Sequence, residues 1–362
     1  MAWPSGVTKW RTVRPGRRES VAGAARAHSF FASDHPVREV LLQRRASGSV
    51  PGKRTDGFKV GLAVEGGGLR GVVSGAMLSA LEDMGFADSF DDVYTCSSGA
   101  VNGAYFITRR TWFPLSIYFD DLTTGVFLDF RRVLRGAGPM NLEYVFEEVL
   151  AHRKPLDYAA IIAARQKLHV MVTSVDELRT LDVSEFDSPE DLRSALRAST
   201  WLPLAIRGTA DFRGQRAIDG GVLRFHPFRA AVLDGCTHVL SLSTRPMSSG
   251  RSGRAPVVNR VVARHLERVR PGLGTGFIAS MDEYRLRDRP HLDRSRRHPG
   301  RPAILDLAPL PDTPEVKRHE VDRGKLLDGA RSAYRLAHEA LEGEDVVVVP
   351  RLTVYPPRPA TP

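Results

Sequence analysis

The sequence predicts an α/β fold: a mainly parallel central sheet covered by helices on both faces. Three observations lead there. Short apolar runs alternate with stretches whose apolar residues recur at helical spacing. Several of the runs are apolar at consecutive positions, as strands buried on both faces are. Twice a run passes into a helix through a turn of glycines or small polar residues.

Taken in order, "FKVGLAV" (58–64) is the first buried strand. "GVVSGAMLSALEDMG" follows as a helix with Val73, Met77, Ala80, Leu81 and Met84 on one face. Between them lies "EGGGLRG". The same order then recurs, with "DDVYTC" as a strand, "SSG" as the turn and "AVNGAYFITRR" as a helix. "LHVMVTSV", "THVLSLS" and "AILDLAP" are further strands, separated by helical stretches such as "SPEDLRSALRAST" and "GKLLDGARSAYRLAHEALE". No internal repeat is present.

A chain of 362 residues accommodates one large domain or two small ones, with tails. Residues 1–55 lack periodicity and read as a basic, flexible lead-in with one short helix around "PVREVLLQRR". Residues 56–244 hold the strand and helix alternation. The Arg-rich stretch 245–302 interrupts it as an insertion or surface excursion, 303–355 completes the domain, and 356–362 is a disordered tail.

The net charge of +10 resides in two of these segments. Residues 1–55 carry 11 Lys/Arg against 3 Asp/Glu, residues 245–302 carry 14 Arg against 5 Asp/Glu, and the remaining body is acidic by 7. Such segments are either a solvated surface or attract polyanions, whether phospholipid head groups or nucleic acid. No apolar run approaches the roughly 18 residues that span a bilayer, and the basic N-terminus lacks a signal-like apolar segment. This reads as a cytoplasmic protein. Cys96 and Cys236 make neither a disulfide framework nor a metal-ligand spacing, so reduced thiols are expected.

In "EGGGLRG", Gly66, Gly67 and Gly68 allow close backbone approach, and their amides precede a helix whose dipole favours negative charge. The turn therefore suits an anion. Gly66, Gly68 and Gly71 also fit the dinucleotide fingerprint GxGxxG. That fingerprint wants an acid at the end of the second strand, whereas Asp88, Asp91 and Asp92 precede it and Thr95 and Cys96 end it.

In "TCSSGA", Ser97 with Gly99 satisfies the second half of GxSxG, the turn that lifts a serine above a sheet edge. Thr95 stands where the first glycine would be, and its Cβ is expected to crowd the following helix. On its own the stretch is either a nucleophile elbow or a helix cap by Ser97 or Ser98. In "RAIDGGVLRFHPF", Asp219 precedes Gly220 and Gly221. That aspartate is either the base a serine needs, presented from an open loop, or an ordinary exposed turn residue.

Together and in this order, the three stretches resemble the patatin-like phospholipase family. "GGGLRG" matches its oxyanion motif, "CSSGA" its nucleophile elbow and "DGG" its catalytic aspartate, while "SALRASTWLPLAI" is similar to its Ala-Ser-x-x-x-Pro segment. The matches span about residues 58–227.

The resemblance implies a patatin-like, α/β-hydrolase-related fold with its catalytic core in 56–244, and a Ser97–Asp219 dyad without histidine. Ser97 would attack a lipid ester, Asp219 would take its proton, and the amides around Gly67 and Gly68, in the turn begun by Gly66, would hold the oxyanion. Arg70 would add positive charge, with Gly71, Gly99, Gly220 and Gly221 supporting the motifs. No metal or cofactor is implied. An alternative is a lipid-binding or regulatory protein with weak or no turnover, motivated by Thr95 and the basic segments. Those segments then suggest peripheral contact with an anionic membrane, and nucleic acid is not expected as a partner. His226, seven residues after Asp219, invites a Ser-His-Asp triad, but the family pattern does without one.

Overall fold

The computed structural model describes residues 31–247, 257–311, 313, 315–343 and 352. Residues 1–30 of the basic lead-in, 248–256 of the Arg-rich stretch and the proline-rich tail 356–362 lie outside the described residues.

Among the described residues, eight strands form one sheet: β1 (Val60–Val64), β2 (Asp92–Cys96), β3 (Lys167–Ser174), β4 (Arg179–Val183), β5 (Ala210–Phe212), β6 (Gln215–Asp219), β7 (His238–Leu242) and β8 (Ala303–Leu307). Their order is β5-β6-β3-β2-β1-β7-β8, with β4 also on β3. The run β3-β2-β1-β7-β8 is parallel throughout, and β4, β5 and β6 are antiparallel additions. The fold is α/β with a mainly parallel sheet, as the sequence predicts.

Alternation along the strands divides the interior into two layers. Leu62, Val64, Val93, Leu240, Leu242, Leu305 and Leu307 enter the larger core. Ala63, Tyr94, Cys96, Val239 and Ile304 enter a smaller one on the other face.

Helix α1 (Pro36–Ala46) lies in the lead-in, followed by α2 (Val72–Asp83), α3 (Ser98–Ile107), α4 (Trp112–Asp120), α5 (Tyr158–Ala163) and α6 (Pro189–Ser199). Next come α7 (Phe228–Leu233), α8 (Val257–Val269), α9 (Leu273–Glu283), α10 (Arg289–Ser295) and α11 (Arg323–Glu342). α2 is buried from Val72 to Leu81 and packs against α11, α3 and α4.

Two charged segments differ from the solvated picture. In the lead-in expected to be flexible, α1 buries Val37, Val40 and Leu41, and the buried Arg44 pairs with Asp56 at 2.7 Å and Asp91 at 2.9 Å. A desolvated cation held by two carboxylates docks that helix on the body. In the Arg-rich stretch, α8, α9 and α10 fold back on the domain. Arg289 and Arg296 are buried and both pair with Asp306 of β8, itself fully buried.

One detail of register positions the site. β2 pairs with Lys167–Met171 of β3, β6 with Val172–Ser174, and β4 with Val170–Ser174. Since β4 overlaps both others along β3, it takes one edge and β2 and β6 share the opposite one. Their C-terminal ends meet there, Cys96 opposite Met171 and Asp219 opposite Val172.

Candidate active site

Ser97 occupies the single residue between β2 and α3, at φ 54° and ψ −137°. A non-glycine residue adopts positive φ only where its surroundings enforce it. Here the Ser97 N–H donates to Ser199 Oγ at 3.0 Å, and the Ser199 hydroxyl donates to the Met171 carbonyl at 2.7 Å. α6 thereby ties the turn to β3. The neighbouring backbone comes close enough to require glycine: a Cβ on Gly66 would stand 2.4 Å from the Cys96 carbonyl, and one on Gly99 would stand 2.6 Å from that of Val64. The Ser97 side chain does not cap α3. The alternative of a helix cap at Ser97 therefore falls away.

Thr95 does not open the elbow. Its hydroxyl donates to the His169 carbonyl at 2.7 Å, and its methyl is directed at Gly103 of α3, where an added Cβ would lie 2.5 Å from Cγ2. The crowding expected from the sequence is absorbed by a glycine in the following helix.

Asp219 is the last residue of β6 and is buried, not carried on an open loop, because β6 continues the edge of β3 that β2 leaves free. Its Oδ1 accepts the Gly221 N–H at 2.8 Å, and its buried Oδ2 has no hydrogen-bond partner among the described residues. Burial raises the carboxyl pKa, moderated by the nearby Ser97 hydroxyl, the Gly221 N–H and the Arg318 charge. Gly220 passes so close to β3 that a Cβ would sit 2.1 Å from the Met171 carbonyl.

The glycine turn departs from expectation in one respect. Gly67 and Gly68 have φ of 153° and 61°. The two amides are not equivalent, because the Gly67 N–H already donates to Ser98 Oγ at 3.0 Å. The Gly68 N–H has no protein acceptor among the described residues. Gly71 lets Ser98 and Tyr118 approach, since a Cβ there would be 2.4 Å from Ser98 Oγ and 2.3 Å from the Tyr118 hydroxyl.

Arg70 lies beneath the turn. It is buried, its Nε donates to Thr244 Oγ1 at 3.2 Å, and burial together with the Arg245 charge brings its pKa down to about 9. The guanidiniums that line the cavity are instead Arg245 and Arg318. Arg245 pairs with the buried Glu65, and its charge overcomes burial to hold that carboxyl at about 2. Arg318 comes from the segment before α11, whose carbonyl accepts the Leu69 N–H at 2.9 Å across the turn.

Two cavities meet at Ser97. One, of about 530 Å³, is lined by Gly66, Gly67, Gly68, Ser97 and Asp219 together with apolar side chains such as Leu128, Leu204 and Phe277. The other is a recess of about 90 Å³ walled by Val101, Tyr118, Phe127, Leu142 and Phe146. They share Gly68, Ser97, Met140 and Leu202.

His226 takes no part in this arrangement. Its Nε2 bonds Ser243 Oγ at 3.2 Å and its Nδ1 accepts the Phe228 N–H at 3.2 Å. Burial lowers its pKa. Cys96 and Cys236 are free thiols whose pKa values burial pushes up to about 12 and about 11, far from thiolate nucleophiles at neutral pH. Asp92, His169 and Asp234 form the one metal-compatible group among the described residues, at the far end of β2. Lys59 Nζ already sits 3.2 Å from Asp92 and 2.8 Å from Asp234.

Sequence reasoning missed Ser199, Arg245 and Arg318. Ser199 lies inside the Ala-Ser-x-x-x-Pro segment and had a signal. The two arginines had none, because only tertiary packing brings them to the turn.

A family model described as Patatin-like phospholipase matches residues 62–232. The Escherichia coli (strain K12) protein YjjU is 25% identical over 190 residues, which are 52% of this chain and 52% of that protein. The chain thus spans about half the length of the curated relative it matches. Among solved structures it is similar to VipD from Legionella pneumophila, with 12% identity and a TM-score of 0.41 over 79% of this chain and 67% of that one. It is also similar to human GIVD cytosolic phospholipase A2 in complex with methyl gamma-linolenyl fluorophosphonate, with 14% identity and a TM-score of 0.43 over 90% and 63% of the two chains.

Proposed function

We propose that this chain, whose residues 62–232 match the Patatin-like phospholipase family, is a lipid acyl hydrolase cleaving carboxylic esters of lipids through Ser97 and Asp219. One observation carries the reading. A single edge of β3 brings a serine at positive φ and a buried carboxylate with an unpartnered oxygen to one cavity, beside the unengaged Gly68 amide.

In this reading Ser97 Oγ attacks the ester carbonyl carbon while its proton passes to Asp219. A carboxylate whose pKa is raised by burial is a better acceptor for that proton. The carbonyl electron pair moves onto oxygen, which accepts the Gly68 N–H, a donor of a kind typically contributing about 3–4 kcal/mol. Collapse breaks the bond to the leaving alcohol, which takes the proton from Asp219. Water then attacks the acyl-serine, gives its proton to Asp219, and the second collapse returns it to Ser97 as the acid departs. Asp219 carries every proton, so the cycle balances without histidine.

The apolar recess beside Ser97 suits the acyl chain, and the wider cavity suits the rest of the lipid. The alternative of a lipid-binding scaffold with little turnover loses part of its motive, because Gly103 accommodates Thr95.

A fluorophosphonate probe and a short soluble ester test the reading. Ser97→Ala should abolish labelling and hydrolysis with an unchanged circular dichroism spectrum. Asp219→Asn should lower kcat by about 10²–10⁴-fold. Labelling and turnover that survive Ser97→Ala would refute it.

A further inference from the structure

Three segments distant in sequence surround the cavity mouth. Phe130 of the helical turn 130–135, Leu204 of the loop after α6, and Val258 of α8 all line the cavity while remaining exposed. Beside them Val133, Leu134 and Val261 also point outward, Leu134 at 89% exposure. The turn Phe130–Arg135 buries none of its residues. It stays beside the 204–207 loop because the Arg207 guanidinium donates to the Gly136 carbonyl and the Met140 N–H donates to that of Ala205.

Charge distinguishes this rim from scattered surface hydrophobes, which are ordinary. Residues 130–138, 202–208 and 257–266 contain no aspartate or glutamate. Among them Arg131, Arg135, Arg207, Arg260 and Arg264 are exposed. Apolar side chains interleaved with arginine around one opening fit a surface that is anionic outside and hydrocarbon within. A phosphate backbone would satisfy the arginines and leave Leu134 and Val261 without a partner.

We infer that this rim is a docking surface for anionic membrane, holding the cavity mouth against the bilayer so that a lipid ester reaches Ser97 without crossing water. The inference rests on the lipid hydrolase reading. It differs from docking by the whole Arg-rich stretch: Arg289 and Arg296 are buried, while Arg131, Arg135 and Arg207 lie outside that stretch.

The test is co-sedimentation of the full chain with phosphatidylcholine vesicles, with and without 30% phosphatidylglycerol (an assay composition of about that fraction), alongside hydrolysis of a short soluble ester. Wild type should prefer the anionic vesicles, more so at low salt, where the Debye length is about 10 Å at 0.1 M against about 3 Å at 1 M. Arg131→Gln with Arg264→Gln should weaken vesicle binding about fivefold per charge at low salt. Leu134→Ser with Val261→Ser should weaken it at any salt. Neither pair lines the cavity, so the soluble ester should be cleaved at the wild-type rate by both. Undiminished vesicle binding by the serine pair would overturn the inference, as would arginine-dependent binding to duplex DNA that exceeds binding to anionic vesicles. Rim-dependent vesicle binding by a chain that cleaves no ester would uphold the surface and refute the hydrolase reading.

Discussion

Gly103 and Thr95 should be energetically coupled, and the elbow depends on that coupling. An alanine Cβ at Gly103 would lie 2.5 Å from Thr95 Cγ2 and 3.4 Å from Val93 Cγ1. The threonine cannot turn aside freely, because it is β-branched and its hydroxyl is held by the His169 carbonyl at 2.7 Å. Overpacking of this kind costs about 1–3 kcal/mol, and a fixed methyl at such a distance takes the upper end. Glycine to alanine inside a helix returns about 1 kcal/mol. Gly103→Ala should therefore destabilise by about 2 kcal/mol. It should also displace Ser97, lowering kcat by about 10- to 100-fold. Thr95→Ser removes the offending methyl but keeps the hydroxyl bond, at a cost of about 1 kcal/mol alone. In that background Gly103→Ala should become stabilising by about 1 kcal/mol and restore the rate. Denaturant unfolding of the four proteins measures the coupling, about 3 kcal/mol, and a soluble ester reports the elbow. Additivity within about 0.5 kcal/mol would refute the proposed fit between methyl and glycine.

Asp219→Asn should raise the melting temperature at neutral pH while lowering kcat by about 10²–10⁴-fold. A carboxyl whose folded pKa lies above its unfolded value stabilises the fold below the unfolded pKa and loses that contribution as pH rises through the folded one. The gap between variant and wild type should thus narrow toward acid, and a variant less stable at pH 7 than at pH 4 relative to wild type would contradict it. Arg318→Gln should move the acid limb of kcat/KM to higher pH, since the lost charge is one that lowers the Asp219 pKa. A limb that stays in place or moves to lower pH would show the two groups to be uncoupled. Asp306→Asn leaves buried Arg289 and Arg296 without their shared carboxylate and should cost about 3–5 kcal/mol by denaturant unfolding. A loss below about 1 kcal/mol would mean that Asp293 and the remaining carbonyl partners suffice.

Local requirements leave local marks, and these were legible in the sequence. The buried parallel strands read as consecutive apolar residues, and helix α2 as a periodic face. The three turns read as "GGG", "SSG" and "DGG", since close backbone approach there excludes side chains from Gly66, Gly99 and Gly220. Ser97 and Asp219 could both be nominated on that basis. Their meeting could not be read, because it depends on β2 and β6 sharing one edge of β3, a matter of register between residues more than 120 positions apart. The short antiparallel β4, β5 and β6 carry too little periodicity to stand out, so Asp219 looked like a loop residue when it ends a strand. Other features likewise arise from long-range contacts: Ser98 engages the Gly67 amide, Arg318 crosses over the glycine turn, and Gly103 receives the Thr95 methyl. The arginines show the division most plainly. Composition alone determined that the chain is basic, but whether a guanidinium is buried on Asp306 or exposed at the cavity mouth was decided only by tertiary structure, because charge acts through distance and burial and neither is a property of sequence position.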